Sequence, residues 1–260
     1  MKVGIMTLYY KNYNFGGLLQ AYALQKVLSK EGFHSLQISY DFRSDPIPRE
    51  SLPDKIKRII EENGIRGVFK AAARKLHLAK NKNFIVNERI LAFERFQEQM
   101  IPHTEKIFTA SNIHEIVDEF DAFICGSDQI WNLNMIRSPA FFLNFVPASK
   151  RKISYAASIS MNKLEEEEKA FFRKYLPHLD AVAVRSEHER KLIQDIVPEK
   201  NVVVVLDPTM LLTVEDWNRC CPPRRIQEDY ILCYFLGDLP EHRRFAQSIA
   251  SKMDLPIVTF

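Results

Sequence analysis

The chain has 260 residues, 46% of them hydrophobic and 27% charged, which is the profile of a soluble globular protein with one large domain or a full domain and part of another. A net charge of +3 is too small to argue for a nucleic-acid partner, and no run approaches the roughly 18 apolar residues of a membrane span. Cys125, Cys220, Cys221 and Cys233 show no C-x-x-C spacing, and the histidines form no H-E-x-x-H pair. The expectation is reduced thiols in a cytoplasmic protein, with no metal site.

Val3–Leu8 reads as a first strand; no secretory signal pattern surrounds it. Lys11–Gly17 reads as a turn-rich loop, and Leu18–Lys30 as a helix with Leu18, Ala21, Leu24, Val27 and Leu28 on one stripe. Strand, glycine-containing loop and helix start together can hold an anion on free backbone N–H groups, although neither G-x-G-x-x-G nor the P-loop pattern is present. Close strand–helix packing at Gly16 and Gly17 is an equal reading. Leu36–Tyr40 completes a βαβ unit. Asp45–Pro53 is a proline-bearing connector. In 55–82, nine Lys/Arg stand against two Glu, giving either a solvated helical face or a basic amphipathic surface for anionic lipid or an acidic substrate. Phe84–Met100 and Ser111–Glu119 read as helices, the second with Ser111-Asn112 as its cap.

Ala122–Cys125 is a short apolar run that stops at Gly126, as a buried strand does at its carboxyl edge. Ser127, Asp128, Gln129 and Asn132 then offer a hydroxyl, a carboxylate and two amides where open α/β sheets bind ligands. The plainer alternative is a polar turn with Ser127 or Asp128 as N-cap. Ile153–Ser158 is a strand of small residues, Leu164–Leu176 a helix with acidic Glu165–Glu168 at its start, and Asp180–Ser186 a strand with Arg185 at its carboxyl end. Helix Glu187–Ile196 and strand Val202–Leu206 follow. Strand and helix alternate throughout, so the fold class is α/β with a Rossmann-like parallel sheet. The segment 220–225 (Cys-Cys-Pro-Pro-Arg-Arg) is the best linker. It places a first domain at 1–221, and strand Tyr230–Gly237, helix Glu241–Lys252 and strand Ile257–Phe260 at the start of a second α/β domain, 222–260. One βαβ unit cannot bury both faces of a sheet, so this second domain is expected to be cut short.

The sequence resembles the polysaccharide pyruvyl transferases. The resemblance is carried by Asn14-Phe15-Gly16-Gly17-Leu18-Leu19-Gln20-Ala21-Tyr22-Ala23-Leu24, by Gly126-Ser127-Asp128-Gln129-Ile130-Trp131-Asn132, by Ile153-Ser154-Tyr155-Ala156-Ala157-Ser158, and by Val184-Arg185-Ser186-Glu187 with Leu206-Asp207-Pro208-Thr209. It implies a GT-B-like fold with the active site between two Rossmann-like domains. It also implies transfer of pyruvate from phosphoenolpyruvate (PEP) to two hydroxyls of a glycan, which can be lipid-linked, with no cofactor. Asp128 is then the expected catalytic residue, and Arg185, Gly16 and Gly17 the donor-binding residues. Asn14, Ser127, Gln129, Asn132 and Tyr155 are expected to bind the acceptor. Arginine suits the donor because its fork matches carboxylate or phosphate, although an ion pair with Glu187 or Glu189 is the structural alternative for Arg185. Two departures stand out: Phe15-Gly16-Gly17 replaces the family's Tyr-Gly-Ala, and its C-terminal Arg-x-His motif has no counterpart before Phe260. The expectation that follows is little activity from this chain alone. The competing readings are a GT-B glycosyltransferase using a nucleotide sugar and a non-catalytic glycan-binding or regulatory module.

Overall fold

The computed structural model describes residues 1–45, 85–235, 237 and 239–259. The basic stretch 55–82 lies outside the described residues. Two compact units are present, Met1–Glu215 and Asp216–Phe260.

The first unit is built on β1 (Lys2–Met6), α1 (Phe15–Lys30), β2 (His34–Gln37), α2 (Ile85–Met100), β3 (Ala122–Cys125), β4 (Arg151–Ser154), α3 (Glu166–Tyr175), β5 (Val182–Val184), α4 (Glu187–Ile196) and β6 (Val202–Val204). Strands β2, β1, β3 and β4 pair in that order, all parallel. Strands β5 and β6 pair with each other and continue the array past β4. The link is a pair of bridges, Ile153 with Ala181 and Ala157 with Val184. The Ser154 N–H donates to Ala181 O at 3.0 Å and the Ala157 N–H to Ala183 O at 3.2 Å. On the other side, Gln37 bridges to His103 and Tyr40 to Phe108, so an extended segment flanks β2. The array therefore changes direction of growth between β1 and β3, the position where doubly wound sheets open a crevice at their carboxyl edge.

Side-chain alternation sorts the strands' residues onto two faces. Val3, Ile5 and Ile124 pack with Leu24 of α1, whereas Met6, Phe123 and Cys125 belong to a larger cluster. That cluster is centred on aromatic rings: fully buried Trp131 stacks on Phe142 at 5.1 Å and meets Phe172 edge-on at 6.1 Å. Its indole N–H donates to Phe141 O at 3.1 Å, so the ring's polar edge is satisfied inside the core.

Several elements differ from their sequence-based limits. Helix α1 starts at Phe15, because Asn14 caps it by accepting the Gly17 N–H at 3.1 Å. Gly16 and Gly17 thus belong to the first helical turn and not to the preceding loop. The Ser111–Glu119 segment is a 3₁₀ stretch over Ile113–Glu119, without a side-chain cap bond from Asn112. Asn112 instead accepts the Thr109 N–H at 2.7 Å, which holds the turn before it. Strand β4 ends at Ser154, and two residues later Ala156 takes a left-handed φ of 51°. Strand β6 is limited to Val202–Val204. Helix α3 starts as its acidic run suggests: Glu165 and Glu168 form a capping box.

The second unit contains β7 (Ile231–Cys233), α6 (Pro240–Met253) and β8 (Ile257–Thr259), with β7 and β8 parallel. Helix α5 (Val214–Cys220) starts in the last residues of the first unit and ends in the second.

Trp131→Ala removes the stacked ring and leaves the Phe141 carbonyl without its donor. It is expected to destabilise the first unit by about 3–5 kcal/mol, read as a lowered urea midpoint for the transition followed by near-ultraviolet circular dichroism.

Candidate functional site

In the in-register sheet, Met6 lies beside Cys125, Cys125 beside Ser154 and Val184 beside Val204. The next residues of each strand therefore collect at one edge. After β1 come Thr7–Asn14, after β3 Gly126–Asn132, after β4 Tyr155, after β5 Arg185 and after β6 Asp207. The 3₁₀ turn Pro208–Leu211, capped by Asp207, packs back onto α1.

Asp207 is the hub. Its Oδ2 accepts from Arg185 Nη1 at 2.9 Å and lies 3.4 Å from Ser127 Oγ. Its Oδ1 accepts the Thr209 N–H at 3.0 Å and the Thr209 hydroxyl at 2.7 Å. Burial pushes the Asp207 carboxyl up, but the Thr209 hydrogen bonds and the Arg185 guanidinium outweigh it and hold the group below the ordinary carboxylate range. Asp128 behaves in the opposite way. Burial is the largest influence and raises its carboxyl; the Gln129 N–H and Arg185 oppose this, and the Asp207 charge adds to it. Two carboxyls of one edge are thus pushed apart, Asp207 toward a permanent anion and Asp128 toward a group that exchanges protons more readily. That is the arrangement expected of a charge holder beside an acid–base residue.

Glycine is required once here, at Gly126, and Gly17 leaves room for two neighbouring side chains. A Cβ on Gly126, whose φ is 124°, would lie 2.1 Å from Tyr155 O. A Cβ on Gly17 would lie 2.2 Å from Asn12 Nδ2 and 3.2 Å from Asp128 Oδ2, so the bare first turn of α1 makes room for both side chains. Gln20 ties the pieces together: its Nε2 donates to Gly17 O at 2.7 Å and its Oε1 accepts the Ser127 N–H at 3.2 Å.

The expected site residues separate by location. Asp128, Gln129 and Asn14 line a pocket of about 450 Å³ together with Tyr10, Lys11, Asn12, Phe42 and Arg43. Asn14 is the α1 cap and Gly17 gives its N–H to that cap, so this N–H does not face outward. Gly16 is exposed in the same turn. Ser127 is fully buried and faces Asp207. Asn132 is 8% exposed, and its amide holds the turn: Nδ2 donates to Gln129 Oε1 at 3.3 Å and Oδ1 accepts the Asn134 N–H at 3.2 Å. Tyr155 is half-buried; burial raises its phenol, and the Asp207 charge adds to the effect. Arg185 pairs with Asp207, not with Glu187 or Glu189. Cys125 is fully buried and burial pushes its thiol well up, which suits a core residue and not a nucleophile.

Asp207, Gln20, Lys11 and Arg43 carried no role in the sequence reading. Asp207 could have been found by the rule that picked Arg185, since it directly follows an apolar strand run. At the pocket mouth Arg43 grips Asp41 through two 2.7 Å bonds, and Lys11 lies 4.0 Å from the same carboxylate. Among the described residues, no three His, Cys, Asp or Glu side chains are grouped to hold a metal ion, and no helix is long and apolar enough to cross a membrane.

Asp207→Asn is expected to shift the Asp128 titration to lower pH, because a neighbouring negative charge that disfavours the carboxylate is removed. Arg185→Ala is expected to shift it to higher pH, because a favourable cation is lost. Carboxyl-detected NMR titration of the two variants against wild type measures both signs.

No curated protein matches the chain. The family model for polysaccharide pyruvyl transferase matches residues 14–260, from the cap of α1 through the whole strand-end cluster. The chain belongs to the polysaccharide pyruvyl transferase family.

Proposed function

We propose that the chain carries the first-domain part of a site that moves pyruvate from PEP onto two hydroxyls of a glycan, free or lipid-linked, closing a cyclic ketal, with little turnover by the chain alone. A proton is delivered to the methylene carbon of PEP, which turns the carbon bearing the phosphate oxygen into an oxocarbenium-like centre. One sugar hydroxyl adds there and loses its proton to a base. The C–O bond to phosphate then breaks, phosphate leaves, and the second hydroxyl adds to close the ring. Of the two hydroxyl protons, one balances the proton gained by the methylene carbon and the other leaves with phosphate.

The observation that carries this reading is the strand-edge trio of Arg185, Asp207 and Asp128. Arg185 spends one guanidinium nitrogen on Asp207, and a guanidinium has five N–H donors, so the fork can still meet a carboxylate or phosphate. Asp128, raised above the ordinary carboxylate range and lining the pocket, suits the base that takes a proton from the sugar. Asn12, Asn14 and Gln129 add amides, and Tyr10 and Phe42 add ring surface, a mixture that fits the hydroxyls and apolar face of a sugar. Gly16 belongs to the donor side of this proposal through the α1 first turn, and Ser127, Asn132 and Tyr155 act from behind the pocket by holding its wall. A GT-B-like architecture with residues 1–221 as the acceptor-side domain, and a cytoplasmic location, belong to the same proposal.

PEP at 100 times its dissociation constant is expected to stabilise the chain by about 2.7 kcal/mol, read as a raised melting temperature that disappears in Arg185→Ala. A shift retained in full by the variant would remove Arg185 from the donor site. Asp128→Asn is expected to lower turnover by roughly 10²–10⁴-fold while leaving PEP-induced stabilisation intact, measured as phosphate release from PEP with glycan acceptors. Unchanged turnover would remove Asp128 from the base role.

A further inference from the structure

We infer that Glu189 is a positioning residue for the reaction, a single buried carboxylate that couples the Arg185 strand end to the Asp128 loop; this rests on the roles proposed above for those two residues. Glu189 stands in the first turn of α4 and is 5% exposed. Ser186, directly after Arg185, is the cap of that helix and accepts the Glu189 N–H at 3.3 Å. In a capping box the glutamate would turn back to the backbone of the cap residue. Here only Oε2 stays local, accepting the Ser186 hydroxyl at 3.0 Å. Oε1 reaches across to the segment after β4 and accepts the Ser158 hydroxyl at 2.6 Å, the Ile159 N–H at 2.9 Å and the Ser160 N–H at 3.4 Å. Capping α4 requires none of these three bonds.

Ser158 passes the constraint on. Its N–H donates to Asp128 O at 3.0 Å, and its own carbonyl accepts the Trp131 N–H at 3.2 Å. Glu189 therefore lies one hydrogen-bonded residue away from Asp128 on one side and four positions from Arg185 on the other. Asp128 and Ser160 both hold left-handed backbone, with φ of 57° and 50°. Non-glycine residues keep that conformation only where their surroundings over-determine it. The Glu189–Ser158 link is one part of those surroundings that comes from outside the loop; Gln20 and Asp207 hold the neighbouring Ser127, while Glu189 acts on the side that bonds the Asp128 carbonyl. A misplaced base loses rate out of proportion to the distance moved, which makes such a link matter for turnover.

The test compares Glu189→Gln and Glu189→Ala in the full chain by Asp128 carboxyl titration, Trp131 amide exchange and steady-state phosphate release. Glutamine keeps an acceptor for Ser158 and Ile159 and can donate to the Ser186 hydroxyl, so it is expected to stay within about twofold of wild type in every readout. Alanine frees the loop. Asp128 then becomes more solvated between Arg185 and Asp207, so its titration is expected to fall toward the ordinary carboxylate range. Trp131 exchange is expected to rise at least about tenfold, and kcat to fall by roughly 10²-fold with KM little changed. An alanine variant that melts lower but keeps the wild-type titration and kcat would overturn the inference and reduce Glu189 to a cap. A glutamine variant as impaired as alanine would also overturn it, since charge and not geometry would then be at work. If alanine prevents folding, Ser158→Ala removes only the bridging hydroxyl; an unmoved Asp128 titration in that variant overturns the inference. Absence of turnover in wild type agrees with the low activity expected of this chain and leaves the titration and exchange readouts to decide the role of Glu189.

Discussion

In a parallel sheet every strand runs the same way, so whatever follows the strands is delivered to one edge. The in-register pairs Met6 with Cys125, Cys125 with Ser154 and Val184 with Val204 set that edge, and the candidate cluster depends on it. Arg185 and Asp207 are 22 positions apart in sequence, yet meet at 2.9 Å because β5 and β6 end side by side. Asp128 feels both charges because β3 ends on the same side of the sheet.

Packing then turns an edge into a site. The loop after β3 has a wet end and a dry end: Asp128 and Gln129 line the pocket, while Ile130 and Trp131 are sunk in the aromatic cluster. Burial of the indole gains apolar contact and fixes the direction in which Asp128 leaves the core. On the opposite wall, Gly17 of α1 leaves room where the Asn12 and Asp128 side chains converge. Burial raises Asp128 and would raise Asp207 too. The two diverge because Asp207 collects the Thr209 and Arg185 bonds, while Asp128 receives the Asp207 charge as a penalty.

The apolar strand runs, the α1 stripe and the acidic start of α3 were legible because each rests on local periodicity or a cap. The candidate site was legible in part. Residues at or just past the end of an apolar run, Arg185 and Asp128 among them, stand out by position alone. Asn14, Ser127 and Asn132 were legible as polar residues in the right loops, but not in their orientation. Asn14 caps α1, Ser127 faces inward to Asp207 and Asn132 holds its own turn. Each of those outcomes depends on where a hydrogen-bond partner sits in space, and a short polar side chain serves as cap, turn former or ligand with the same chemistry.

From the sequence alone came the alternation of strands and helices, the family resemblance, and the likelihood of chemistry at strand ends, because these follow from pattern and from residue type. The tertiary structure alone decided that Arg185 pairs with Asp207 and not with its helical neighbours Glu187 and Glu189, and that Glu189 reaches across to Ser158. It also decided that Asp207 is the hub of the cluster. The physical reason is that these bonds span 22 to 80 positions of chain and exist only when parallel strands bring distant segments to one edge, whereas local propensity acts over a few residues.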